Sequence, residues 1–104
     1  MNELRFKVAG VSFAEGYPQN LLSVYESGST HAVLKRQPDN PYDTNAIRVI
    51  CVFAGGFVGH VPREIAEWLA PIMDSGIKVK ASLEEVLVDP EHPERPGAQI
   101  RVIW

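Results

Sequence analysis

The segment LKRQPDNPYDTNAIRV, residues 34–49, places two prolines, four Asp or Asn side chains and one tyrosine between apolar runs. Pro38 and Pro41 fix their own φ and favour extended backbone in the residues before them, and the Asp and Asn side chains can close turns on nearby N–H groups. We therefore expect a rigid loop. This composition is also typical of a plain turn between strands. A rigid loop that presents Tyr42 beside Asp43 can in addition stack on a flat ring and hydrogen-bond a neighbouring hydroxyl, as at the end of a nucleic acid.

The runs on both sides of this loop alternate apolar and polar residues, which is the period of a half-buried strand. The same pattern recurs towards both ends of the chain. The predicted strands are residues 4–8, 31–36, 46–53, 57–60, 77–88 and 98–104. The glycines at 55 and 56 predict a hairpin turn, and the proline-rich link DPEHPERPG, residues 89–97, predicts a mobile, solvated hairpin loop.

Two segments have the spacing of helices. Residues 17–27 carry Pro18 where a helix would start, have Leu21, Leu22 and Tyr25 at helical spacing and end before Gly28. Pro62 marks the start of a second helix, whose apolar residues recur at helical spacing and should pack on the sheet: Ile65, Leu69, Ile72 and Met73. Pro71 within it should kink the helix or split it in two, and residues 75–76 should end it.

Six short strands with one or two covering helices predict a mainly β fold, a small six-stranded, partly open barrel of the OB or SH3-like kind. The 104 residues are expected to form one domain, residues 1–104, with a core but little spare stability. Barrels of this kind commonly bind single strands of nucleic acid through basic grooves and exposed aromatic side chains.

Composition excludes several classes of protein. The apolar fraction of 45% argues against a disordered chain, and the sequence has neither an apolar run long enough for a bilayer nor an apolar leader, so we expect a cytoplasmic protein without membrane contact. Cys51 is the single cysteine of the sequence, so an internal disulfide is excluded, and its thiol is expected to be buried and inert. The three histidines are scattered and form no pair at metal-ligand spacing, so we expect no metal site. We also expect no other cofactor.

The net charge of −3 is distributed unevenly. Residues 1–63 carry six basic against five acidic side chains, whereas residues 64–104 carry four against eight. A module that holds one strand end needs only a few phosphate contacts, so an acidic chain does not exclude nucleic acid. Binding should then be weak and should fall as salt rises.

Four motifs resemble the HIRAN domain, a small module found alone in bacteria and at the N-terminus of fork-remodelling helicases. They are VAGVSF at 8–13, NPYDTNAIRV at 40–49, VGHVPREIA at 58–66 and LAPIMDSG at 69–76. Their order and spacing are those of the family. The resemblance implies the barrel described above and a pocket for the free 3′-OH end of single-stranded DNA, used in DNA repair or replication-fork processing, with a helicase or another repair protein as a possible partner.

The resemblance also implies roles for residues at matching positions. Tyr42 and Phe13 match two aromatics that hold the terminal bases, Asp43 matches an acid that reads the 3′-hydroxyl, and Asn40 matches an asparagine that contacts the end nucleotide. Three of these residues have a structural alternative: Asp43 caps its own turn, the Tyr42 ring packs on the barrel, and Phe13 belongs to the core.

Two further residues match phosphate contacts. His60 and Arg63 lie near the expected N-terminus of the second helix, which is a natural anion site. The alternative is that both are surface residues without a role in binding. Ser12 departs from the helicase pattern because it stands where those relatives place a phosphate-binding arginine. Three other basic residues are candidates to compensate for it: Lys35, Arg36 and Arg48.

Two other classes of function remain open. His60 and Asp43 could form an acid–base pair, but the sequence has no nucleophile elbow, phosphate-binding glycine loop or paired metal carboxylates, so we expect no enzyme activity. The alternative to DNA binding is a non-catalytic protein-interaction module. Its anchors would be exposed aromatics such as Tyr17, Trp68 and Trp104.

Overall fold

The computed structural model describes residues 1–10, 16–28, 30–52 and 56–104. These residues form strands and helices in the order β1 (Glu3–Lys7), α1 (Tyr17–Ser27), β2 (His31–Arg36), β3 (Ile47–Cys51), β4 (Gly56–His60), α2 (Arg63–Asp74), β5 (Lys80–Asp89) and β6 (His92–Ile103). The strand and helix bounds agree closely with those predicted, except at the hairpin between β5 and β6. Of the predicted turn at residues 54–56, residues 54 and 55 lie outside the described residues, and Gly56 begins β4.

All six strands belong to one antiparallel sheet in the order β1-β6-β5-β2-β3-β4. The sheet curls so that its two edges meet at one residue pair. Just after β1, the Ala9 backbone N–H donates to the His60 carbonyl at the end of β4, and the His60 N–H donates back to Ala9, both at 2.8 Å. The prediction of a six-stranded, partly open barrel is therefore confirmed.

Gly59 allows this seam to form. Its φ is +155°, and a Cβ there would lie 2.6 Å from the Ala9 carbonyl oxygen and closer still to the Val8 side chain. The register of β4 against β3 also shifts at this point, which is the sign of a β-bulge and sharpens the local bend. Only a residue without a side chain fits between the two sheet edges.

Both helices contribute apolar residues to the buried core that they share with the sheet. On α1, Leu21 and Val24 are fully buried whereas Tyr25 is 60% exposed. The second turn therefore buries Val24 and not Tyr25, the residue that the predicted apolar face contained. On α2, Leu69 is fully buried at the centre of the contact, and Ile65 and Met73 pack against the core as predicted.

Pro71 does not split α2, which continues to Asp74. Of the two predicted effects of Pro71, a split of this helix is therefore wrong. Pro71 lies on the exposed face, as does Glu67, the residue whose carbonyl loses its helical N–H partner. Solvent can satisfy that carbonyl, so the helix tolerates the proline.

The link at residues 89–97 is mostly strand, so the predicted loop is wrong. β5 runs to Asp89 and β6 begins at His92, with Asp89 opposite His92 and Leu87 opposite Gly97. The register of β1 on β6 reaches only Gln99, so Pro93 and Pro96 lie where β6 has strand β5 on one side only, and Pro90 lies in the turn between β5 and β6. Proline is tolerated at such positions because no second ladder needs its N–H.

Several chemical expectations concern groups inside this fold. Within the described ranges, no helix has both the length and the apolar character needed to cross a membrane. Cys51 is buried, as predicted, and burial raises the pKa of its thiol to about 11. The described residues contain no cluster of three or more His, Cys, Asp or Glu side chains that could hold a metal ion.

Candidate nucleic-acid interface

The loop between β2 and β3 is fixed by its own backbone. The Gln37 N–H donates to the Ala46 carbonyl at 2.9 Å and closes the loop at its base. Two tighter turns lie inside it, from Asn40 N–H to the Gln37 carbonyl and from Ala46 N–H to the Asp43 carbonyl, each at 3.1 Å. The predicted rigidity therefore has a physical basis in successive turns.

Asx side chains hold the tip of this loop. The Asn40 Oδ1 accepts from the backbone N–H groups of Tyr42 and Asp43 at 2.9 and 3.1 Å, and the Asp43 Oδ1 accepts from Asn45 N–H at 2.9 Å. Tyr42 is thereby presented with 91% of its surface exposed. Its ring does not pack on the barrel, so that structural alternative is excluded.

The loop faces the end of β4 and the start of α2. Val61 N–H donates to the Ile47 carbonyl at 2.9 Å, which extends the pairing of β3 and β4 to the residue before the Pro62 N-cap. Arg63 is therefore the first residue of α2, beside backbone N–H groups that lack helical partners. This places a cation and a helix N-terminus opposite the loop tip.

A cavity of about 670 Å³ lies between these elements. Its lining combines both edges of the barrel seam with the loop. The lining residues are Ala9, Gly10, Gln37, Asn40, Tyr42, Asp43, Ala46, Arg48, His60, Val61 and Arg63. We call this cavity the seam pocket.

Arg48, Gln37 and His60 form a hydrogen-bonded row along the pocket wall. The Gln37 amide lies 2.9 Å from His60 Nε2 on one side and 2.6 and 3.2 Å from the Arg48 Nε and Nη2 on the other. Arg48 also lies over the Phe57 ring, 4.3 Å from its centroid, in a cation–π contact. The guanidinium is thus held on two sides.

The electrostatics of the pocket differ between its basic groups. Burial, and then the nearby positive charge of Arg48, lower the pKa of His60, so its imidazole is neutral around neutral pH. Arg63 is 73% exposed at the rim, and its Nε lies 3.9 Å from the Asp43 Oδ2. That distance is too long for a hydrogen bond, so Arg63 and the second Asp43 oxygen both retain capacity for a ligand.

The structure brings most of the predicted site residues together. Those that line the seam pocket are Asn40, Tyr42, Asp43, Arg48, His60 and Arg63. Phe13 and Ser12 lie outside the described residues. Lys35 is exposed on β2 opposite Arg48 and does not line the pocket.

Arg36 has partners elsewhere. Its guanidinium donates to both carboxylate oxygens of Asp74 at 2.9 and 3.1 Å and to the carbonyls of Ala46 and Thr44. Its side chain is only 14% exposed. Arg36 thus ties the base of the loop to the C-terminal end of α2, and it does not line the pocket.

Sequence reasoning missed Gln37 and the apolar floor of the pocket, Ala9 and Val61. Gln37 follows the last residue of β2, where a polar residue carries no signal of its own. The floor residues belong to opposite edges of the sheet, and only the closed seam brings them together.

The structure also shows where the residues of the enzyme and protein-interaction hypotheses lie. Asp43 and His60 line the same pocket, but each is held by other groups, Asp43 by Asn45 and His60 by Gln37. Trp68 is 41% exposed and its ring centroid lies 5.7 Å from that of Trp104. The side chain of Tyr17 lies outside the described part of the chain.

Comparison with known proteins gives a consistent family. The HIRAN domain family model matches residues 1–102. Helicase-like transcription factor from Mus musculus and from Homo sapiens are each 40% identical to the chain over 72 residues, which are 69% of this chain but 6% of each relative. The chain therefore corresponds to a small part of those relatives.

Solved structures share the fold. The crystal structure of the HIRAN domain of human HLTF has a TM-score of 0.69 and 28% identity, covering 97% of this chain and 73% of that one. The NMR structure of the HLTF HIRAN domain in its DNA-bound conformation has a TM-score of 0.58 and 27% identity, covering 98% and 75%. A protein from Lactobacillus plantarum, with a TM-score of 0.62 and 19% identity over 97% of both chains, shares the fold alone.

Proposed function

Because this chain belongs to the HIRAN domain family, we propose that it is a non-catalytic module that binds the free 3′-hydroxyl end of single-stranded DNA. Its setting would be DNA repair or the processing of replication forks. The observation that carries the proposal is Tyr42, 91% exposed on a rigid loop at the mouth of a pocket that Arg48 and Arg63 also line. A related domain has been solved in a DNA-bound conformation.

Tyr42 supports stacking because its backbone is already fixed before a ligand arrives. The two hydrogen bonds to Asn40 hold the loop tip, so little conformational entropy is lost when a base stacks on the ring. Stacking of this kind contributes about 1–3 kcal/mol per base and is tolerant of base sequence. We therefore propose low sequence preference.

The two arginines supply the contacts with phosphate. Arg48 is held at the pocket wall by Gln37 and Phe57, whereas Arg63 is exposed at the rim. Two cations are few, and the chain as a whole carries a charge of −3. Affinity should therefore be modest and should fall with salt, with a slope of about 0.7 per phosphate neutralised on a single strand.

Asp43 provides the basis for reading the end of the strand. One of its oxygens is used by Asn45 N–H, and the other is able to accept a hydrogen bond from a 3′-hydroxyl. The same carboxylate would repel a 3′-phosphate. Discrimination between the two ends then comes from charge as well as from hydrogen bonding.

The test is fluorescence anisotropy at low salt with a short labelled strand that ends in either a 3′-hydroxyl or a 3′-phosphate. Wild type should bind the hydroxyl end more tightly. In D43N the amide oxygen can still accept from Asn45, but the charge is gone, so the preference should shrink or disappear. D39N is the matched control, because Asp39 is an exposed acid of the same loop that does not line the pocket.

The possible results separate the proposals. Equal binding of both ends by the wild type would refute end recognition and leave a general single-strand binder. An equal loss of preference in D39N would show that net charge, and not Asp43, controls the discrimination. Absence of binding would favour the second candidate, a protein-interaction module, for which the relevant observation is Trp68, 41% exposed beside the partly buried Trp104. In that case W68A should abolish capture of a partner that D43N retains.

A further inference from the structure

Gln37 lies between a permanent cation and a titratable ring in the seam pocket. One end of its amide is 2.6 Å from Arg48 Nε and 3.2 Å from Nη2, and the other end is 2.9 Å from His60 Nε2. A guanidinium has donors and no acceptor, so the amide atom that faces Arg48 is the oxygen. The amide nitrogen therefore faces His60.

The orientation of the amide fixes the state of the histidine. A Gln37 N–H that donates to His60 Nε2 requires a lone pair on that nitrogen, so the ring proton lies on Nδ1. Protonation of Nε2 would set two donors against each other and break the bond. Burial and the charge of Arg48 act in the same direction, because both lower the pKa of His60.

We infer that Gln37 is a positioning residue of the seam pocket, which holds His60 as its neutral Nδ1–H tautomer and fixes the Arg48 guanidinium beside it. This inference rests on the proposed function for its meaning in DNA binding. A neutral His60 can give a phosphate a hydrogen bond but no charge. The charge that displaces counterions from the strand then comes from Arg48 and Arg63.

The other charged groups around the ring support this assignment. Arg48 reaches the pocket from β3 and opposes a positive charge on His60, and Arg63, at the start of α2, is a second cation in the same lining. Asp43, from the loop, is the acid that lines the pocket, and it is engaged with Asn45 and lies near Arg63. The sum of these groups favours a neutral ring.

The direct test is nitrogen-15 NMR of the His60 ring in the free protein. The wild type should show a pyrrole-type Nδ1 and a pyridine-type Nε2, which is the reverse of the tautomer that a free histidine side chain favours in water. An Nε2–H or doubly protonated pattern around neutral pH would overturn the inference. This measurement needs neither DNA nor a variant that might fold poorly.

Two variants test whether Gln37 is the cause. In Q37E the carboxylate can still accept from Arg48 but has no hydrogen to donate, so His60 should lose the Nδ1–H pattern and its pKa should rise. Q19E adds the same charge at an exposed position of α1 outside the pocket and should keep the wild-type pattern. An unchanged Nδ1–H pattern in Q37E would show that Gln37 does not set the tautomer.

Salt dependence tests the consequence for binding. A neutral contact releases no counterion, so H60A should weaken DNA binding without changing the slope of log K against log salt, whereas R63A should reduce the slope by about 0.7. An equal reduction in H60A would mean that His60 binds as a cation and would overturn the inference. Absence of DNA binding in the wild type would refute the proposed function, and the NMR result would still decide the tautomer.

Discussion

Replacement of Tyr42 by alanine should weaken binding of single-stranded DNA by about 5- to 150-fold, which is the loss of one base stacked on an aromatic ring, about 1–3 kcal/mol. The structure gives no reason to expect that this substitution also lowers the stability of the fold. The side chain is 91% exposed, and the hydrogen bond at this position is made by the Tyr42 backbone N–H, which alanine retains. The free energy of unfolding should therefore change by less than about 0.5 kcal/mol.

The assay combines anisotropy titration with urea unfolding of the same samples. Y42F keeps the ring and should bind nearly as well as wild type, which separates stacking from a role of the hydroxyl. Y25A is the matched control, because Tyr25 is 60% exposed on α1 and does not line the pocket. It should bind DNA as the wild type does.

One result would refute the reasoning outright. If Y42A binds within about twofold of wild type, which is less than 0.5 kcal/mol, Tyr42 does not stack on a base and its exposure has another cause. A loss of affinity in Y42A that comes with an equal loss in Y25A would show a general effect on the protein. Only a loss confined to Y42A at unchanged stability supports the proposal.

Three predictions concern the fold. G59A should lower the free energy of unfolding by about 1–3 kcal/mol or more, because its Cβ would overlap the opposite edge of the barrel. In the control G28A, the Cβ meets nothing within 4 Å, so the free energy of unfolding should fall only by the strain of a left-handed φ, about 1–2 kcal/mol. A larger loss in G28A than in G59A on thermal unfolding would contradict this. Cys51, with a pKa of about 11 and a buried side chain, should resist a thiol reagent until urea unfolds the protein, and rapid labelling of the native state would count against burial. The hydrogen bond from Arg36 lowers the pKa of Asp74, so this pair stabilises the fold at pH values above the ordinary carboxyl pKa, and the contribution is lost as pH falls through the lowered pKa. D74N should therefore reduce the fall of the unfolding free energy at acid pH. An unchanged pH dependence would show that the pair does not couple to folding.

Local signals predicted most of the fold. Pro18 and Gly28 placed α1 to the residue, since proline is accommodated in the first turn and a positive φ is required after the last one. The strand from His92 was missed because its prolines resemble a loop, and only the sheet order shows that this part of β6 is paired on one side. Composition carries no information on which side of a strand has a partner.

The candidate site was predictable only where neighbours in sequence are neighbours in space. Asn40, Tyr42 and Asp43 lie on one turn, and the motif identified them together. Among the basic candidates, sequence did not distinguish Arg36 from Arg48, because the outcome depends on which groups the fold brings near each of them. Asp74, at the end of α2, is the partner of Arg36, and Gln37 is the partner of Arg48.

The position of the pocket at the barrel seam would link the proposed binding to closure of the fold. Ala9 and His60 form the bridge that joins the two sheet edges, and both line the pocket. A ligand held between the loop and the start of α2 contacts both edges and should stabilise the closed seam by mass action. Opening the seam would separate Ala9 from His60 and remove the floor of the pocket. The bridge therefore shapes the proposed binding surface as well as the barrel, and the absence of a side chain at Gly59 is a requirement of both.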